Sequence, residues 1–326
     1  MRTVRAVRTL TGATAAALAL TAAGPLSPAR ADVTRVQTTV EIRCAFTILD
    51  QSADWYFPSG TPQGLVWLQH GFARSNGNVA DLASAYAAAG YLVFAPTLPT
   101  ANIFGCTLEN LGNNTGFLGN VADLFVKMGD PSDKLGRSFA KAKAQAGRPG
   151  LALPGSLVFS GHSAGGEAVS YVAGRLRTDG AAAWARLRGL VLLDPVKSFI
   201  GGNLATGLTA VDGTGRMIRT ISGPDGTCNN SGSGTDLVQA DVHAPFVGVR
   251  LTTGAHTDAE GASTDSAGTL ACGTPKAENV ATLQTFAVAW AEDAFNGTRT
   301  AAYLPGGSYY QSQLSSGRIE TLSGAS

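Results

Sequence analysis

Six short apolar runs dominate this chain: "GLVWLQH" (64–70), "YLVFAP" (91–96), "SLVFSG" (156–161), "GLVLLDP" (189–195), "RMIRTIS" (216–222) and "FVGVRLTT" (246–253). Most lack the polar-apolar alternation of a strand with one wet face, so both of their faces need cover. Helical patterns supply it: "NVADLASAYAAAG" (78–90), "FLGNVADLFVKMGD" (117–130), "SDKLGRSFAKAKAQAG" (132–147) and "GGEAVSYVAGRLRT" (165–178). A longer one, 275–297, has a proline in its first turn and a terminal glycine. Strands alternating with helices predict an α/β class: a doubly wound, mostly parallel sheet with helices on both faces. No linker or internal repeat divides residues 32–326, which read as one domain. Residues 199–213 and 223–237 read as glycine-rich connections, and residues 308–326 as an edge strand or a loose tail.

Residues 1–31 stand apart. Arg2, Arg5 and Arg8 precede an apolar run of Ala, Leu and Thr, and Ala29-Arg30-Ala31 offers the small-x-small pattern of a cleavage site. The expectation is a secretory signal peptide and an extracellular mature chain. No segment is long and apolar enough to predict a membrane span. Removing residues 1–31 takes away four arginines and no acids, so a formal charge of +1 becomes −3. No basic stripe remains for nucleic acid or for an anionic membrane. Export makes Cys44, Cys106, Cys228 and Cys272 candidates for disulfides. Three pairings are possible, and proximity along the chain favours Cys44–Cys106 and Cys228–Cys272. Their spacings do not suit zinc.

Gly161-His162-Ser163-Ala164-Gly165 matches G-x-S-x-G between a strand-like run and a helical pattern. In that context the serine sits on a sharp turn, its hydroxyl above the sheet and a helix N-terminus beside it. A serine hydroxyl needs a base. Of the four histidines, His70 and His162 precede Ser163, where local hydrogen bonding is their expected role; His243 lies before a strand. His256 follows the last apolar run, where a loop would bring it over Ser163. Metal ligation by His256, Asp258 and Glu260 is the competing reading. The acid that orients the base is Asp194, ending "GLVLLDP", with Asp225 after the next strand as the alternative. Backbone N–H groups of Phe72, after "GLVWLQHG", and of Ala164 are the candidate oxyanion donors.

"QHGFARSNGN", "GHSAGG", "LDPV" and "GAHTDAEG", in that order, resemble the α/β-hydrolase superfamily over roughly residues 40–297. Within it the chain is similar to secreted bacterial esterases and lipases, including cutinase-like polyester hydrolases and chlorophyllase-like enzymes. The chlorophyllase-like pattern maps the acid onto Asp194 and the cutinase-like pattern onto Asp225. Ala164 departs from both, since the first usually carries Arg there and the second Met.

The resemblance implies a cofactor-free, metal-independent serine hydrolase of carboxylic esters, acting as a monomer on a lipid-like ester or a polyester surface. No long amphipathic lid is evident between Asp194 and His256, which predicts an open cleft. The rival readings are a peptidase or amidase with the same residues, and a non-catalytic extracellular binding protein.

Overall fold

The computed structural model describes residues 32–326, so the expected signal segment lies outside the described residues. The chain opens with a long hairpin, β1 (Thr34–Cys44) and β2 (Thr47–Phe57), turning at Ala45. There follow β3 (Leu65–Gln69), α1 (Ala80–Ala88), β4 (Leu92–Pro96), α2 (Thr115–Val126), α3 (Lys134–Gln145) and β5 (Leu157–His162). Then come α4 (Ala164–Asp179), α5 (Ala181–Arg186), β6 (Leu187–Leu193), α6 (Asn203–Val211), β7 (Met217–Ser222), α7 (Ser233–Asp241) and β8 (Gly248–Leu251). The chain closes with α8 (Ser266–Cys272), α9 (Ala277–Asn296), α10 (Ser308–Ser315) and β9 (Ile319–Leu322).

One nine-stranded sheet runs β1-β2-β4-β3-β5-β6-β7-β8-β9. Strands β3 to β8 are parallel to one another, β2 and β9 run against their neighbours β4 and β8, and β1 pairs antiparallel with β2. That strand order, with helices on both faces, is the α/β-hydrolase fold.

Two cores explain the continuous apolar runs. Along β3, Leu65 and Trp67 face α2, α3, α4 and α6, while Val66 and Leu68 face α1 and α9. Every residue of β3, β4 and β5 is buried, as a strand covered twice requires. The hairpin differs. Along β1, Val36, Thr38, Val40, Ile42 and Cys44 alternate with outward residues, so only one face is covered.

Residues 199–213 and 223–237, read from the sequence as connections, each hold a helix. Gly207 lets α6 lie directly on α4: a Cβ there would come 2.3 Å from the carbonyl of Ser170. Leu204, Leu208 and Val211 are then buried, so α6 belongs to the covering layer. The tail forms α10 and the antiparallel edge strand β9.

The disulfides are Cys44–Cys106 and Cys228–Cys272. The first ties the hairpin turn to the connection after β4; the second ties the connection after β7 to α8. On loop entropy each should contribute roughly 4 kcal/mol. Replacing Cys228 and Cys272 by serine should lower the unfolding free energy by about that amount in urea titration, with the sheet intact by circular dichroism.

Candidate active site

Ser163 stands where β5 ends and α4 begins, at φ 58° and ψ −127°. A non-glycine residue there is strained by about 1–3 kcal/mol and must be held. Its N–H donates to the Leu193 carbonyl at 3.0 Å, and its own carbonyl accepts from Gly166 at 2.8 Å and Val196 at 3.1 Å. Gly165 permits the corner: a Cβ there would lie 2.5 Å from the carbonyl oxygens of Gln69 and His70. Gly71 brings the next loop over the serine, since its Cβ would lie 2.8 Å from that of Ser163.

The Gly71–Phe72 peptide has a fixed orientation. Nε2 of His70 accepts from the Leu98 N–H at 2.9 Å, which leaves the proton on Nδ1. Nδ1 then donates to the Gly71 carbonyl at 2.7 Å, and the Arg74 N–H donates to the same oxygen at 3.3 Å. The peptide is trans, so the Phe72 N–H points the opposite way. Among the described residues, neither that N–H nor the one of Ala164, at the start of α4, has an acceptor.

His256 opens a short 3-10 turn, His256–Ala259, after β8. Its Nδ1 lies 2.6 Å from Oδ2 of Asp194. Asp194, also at positive φ (43°), is buried at the end of β6. Its carboxylate accepts from the Gly223 N–H at 3.0 Å and from Asn229 Nδ2 at 3.2 and 3.3 Å. A carboxylate so supplied with donors has one direction left in which to hold an imidazole. Asp225 is turned elsewhere, exposed and 3.5 Å from Arg250.

His162 joins the two halves of the site. Its ring lies 4.6 Å from that of His256, and its Nε2–H donates to the His256 carbonyl at 2.9 Å. Thus the residue preceding Ser163 carries the backbone of His256. Burial, then the nearby His256, pushes the His162 imidazole well below its ordinary range. Burial pushes His70 down to about 4. Among the described residues Ser163 Oγ makes no hydrogen bond.

The two carboxylates of the metal reading have other partners. Asp258 accepts from the N–H groups of Ala255 at 2.7 Å and Lys276 at 3.0 Å. Glu260 accepts twice from Arg74. His243 pairs with Asp212 at 2.9 Å, ahead of β8 at the opposite end of the strands. A cavity of about 560 Å³ at that far end, lined by Arg216, Arg219, His243 and Trp290 among others, holds no candidate residue. Asn229 and Arg74 escaped sequence reasoning, and Glu260 entered it only as a metal-ligand candidate, because no motif joins such distant positions.

No protein-family model matches the chain, and no curated protein matches it. Among solved structures, esterase Est22 covers 80% of this chain and 81% of its own at 14% identity, with a TM-score of 0.47. The esterase domain of a Rhodothermus marinus protein covers 79% of this chain and 98% of its own at 16% identity, with a TM-score of 0.44.

The buried neutral histidines predict an acid limb. A histidine depressed when folded stabilises fully above its unfolded value of about 6.5, and that stability is lost as pH falls toward the folded value. For His70 the loss between pH 6.5 and 4 should reach about 3 kcal/mol, with His162 adding in the same direction. Urea titrations at pH 7 and 4.5 measure it, and a flat profile would contradict the neutral assignment.

Proposed function

We propose that the chain is a serine hydrolase of carboxylic esters with apolar parts. The observation that carries this reading is the 2.6 Å contact of His256 with Asp194, at the end of the sheet where Ser163 sits on a strained corner. In this reading Asp194 fixes the imidazole with its proton on Nδ1 and stabilises the imidazolium formed during attack. Nε2 takes the Ser163 proton as Oγ attacks the ester carbonyl, and the N–H groups of Phe72 and Ala164 receive the oxyanion. His256 then protonates the departing alcohol, and water repeats the sequence on the acyl-enzyme.

Exposed apolar side chains support the substrate class. The large ones fall in the segments that follow the parallel strands: Phe72 after β3, Ile103, Phe104 and Leu111 after β4, Phe199 and Ile200 after β6, and Leu270 on α8. Phe46 and Ile48 join them, because β2 runs antiparallel to β4 with Ala53 opposite Pro96, so the hairpin turn projects past the carboxyl end of β4. Exposed apolar surface of this extent marks a ligand or interaction site. The two disulfides suit the export expected from the first 31 residues, since an oxidising compartment preserves them.

Ser163→Ala should keep the fold and lower turnover of p-nitrophenyl butyrate by roughly 10⁴-fold or more. Fluorophosphonate labelling of the wild type at Ser163 separates this reading from a non-catalytic binding protein. Nitroanilide peptides, cleaved faster than esters, would favour a peptidase instead. Phe104→Ser with Phe199→Ser should slow hydrolysis of a long-chain, water-insoluble ester several-fold while leaving p-nitrophenyl acetate within about twofold. Equal slowing of both would remove the apolar rim from the account.

A further inference from the structure

Arg74 lies two residues after Phe72, and Glu260 lies four residues after His256. They form a fork: Arg74 Nε donates to Glu260 Oε1 at 2.7 Å and Nη2 to Oε2 at 2.6 Å, across 186 residues of chain. Both are shielded, with side-chain exposures of 13% and 2%. The same guanidinium reaches Asp265 Oδ1 at 3.0 Å, the residue that caps α8. On the other side, the Arg74 N–H closes the turn that contains Phe72. Glu260 Oε1 stands 4.0 Å from Nδ1 of His162, whose Nε2–H holds the His256 carbonyl.

We propose that Arg74 and Glu260 are a positioning pair that sets the distance between the Phe72 N–H and the His256 imidazole, so that both converge on one substrate carbonyl. The proposal rests on the serine-hydrolase reading and deepens it. Neither loop belongs to the sheet, and each leaves a different strand, β3 and β8. Cohesion alone does not require charge here, because a shielded ion pair is often replaceable by apolar residues at little cost. What the planar fork adds is a fixed length and angle. An oxyanion donor and a base must agree in position to a fraction of an ångström, and a misplacement of about 1 Å costs about 10²-fold in rate.

The test uses Arg74→Lys, which keeps charge without the fork, Glu260→Gln, which keeps shape without charge, and the milder Glu260→Asp. Each is assayed as the full chain, well below its melting temperature, with rates normalised to sites titrated by a fluorophosphonate. With p-nitrophenyl butyrate, kcat should fall roughly 10- to 100-fold with KM within about threefold. Affinity for an alkylboronic acid, which forms a tetrahedral adduct on the serine, should weaken by a similar factor. The double variant Arg74→Lys with Glu260→Gln should be no slower than the worse single, since the two act as one unit. Asp265→Asn, which removes the charge of the outer contact and leaves the Arg74–Glu260 fork, should change kcat less than about threefold.

A merely structural role predicts lower melting temperatures with kcat per titrated site and boronate affinity unchanged, and that result overturns the proposal. So does a rise in KM alone. If the wild type neither cleaves esters nor takes the fluorophosphonate, the hydrolase reading falls and the proposal with it. If the wild type does both and the variants keep its turnover, the proposal alone falls.

Discussion

The strained backbone at Ser163 is the constraint around which the molecule is arranged. A side chain at φ 58° persists only where its surroundings over-determine it. Here both of its main-chain groups are tied down, to Leu193 on β6, to the first turn of α4 and to Val196 beyond β6. Gly165, against the end of β3, lets the helix come close enough to complete that grip. Strand β5 is therefore held from both sides, by β3 and β6, at the point where the chain turns.

From that corner the other parts follow by adjacency. The loop after β3 passes over Ser163, and a neutral His70 orients its peptide. The strand beyond, β6, delivers Asp194 one residue past its end, and Asn229 with Gly223 orients the carboxylate from the neighbouring connection. Cys228 beside Asn229 is bonded to Cys272 on α8, so the segment supporting Asp194 is clipped to the one following His256. Polar groups here are buried in number, yet most have partners, which is what makes buried polarity tolerable. Nδ1 of His162 is an exception: it faces Glu260 with no hydrogen bond. Since Nε2 donates to the His256 carbonyl, Nδ1 of the neutral ring is a bare acceptor, and it has no proton to offer that carboxylate.

The elements legible in the sequence are those whose pattern is local. Strands β3 to β6 appear as apolar runs because each is covered twice, and α1, α4 and α9 show the helical period. The hairpin was equally legible in principle: Val36, Thr38, Val40, Ile42 and Cys44 alternate cleanly. Helix α6 was not, because Gly202 and Gly207 look like loop residues until α4 is seen to need a close neighbour there. Likewise α7 begins in a run of Gly, Ser and Asn, and its helical state depends on Gly234 fitting against Pro195, where a Cβ would lie 2.1 Å from the carbonyl oxygen.

By itself the sequence determined a parallel sheet wrapped by helices, a serine on a glycine-hemmed corner and a histidine after the last parallel strand, while among three possible cysteine pairings it only favoured the one the structure holds. Each of these rests on residues close together in the chain, where period and turn chemistry act. Only the tertiary structure decided between Asp194 and Asp225 as the partner of His256, because both follow adjacent strands and differ solely in where their carboxylates point. It alone joined Arg74 to Glu260 and His162 to His256. Those contacts arise from loops that leave different strands, and no spacing in a one-dimensional string records which loop ends lean toward one another.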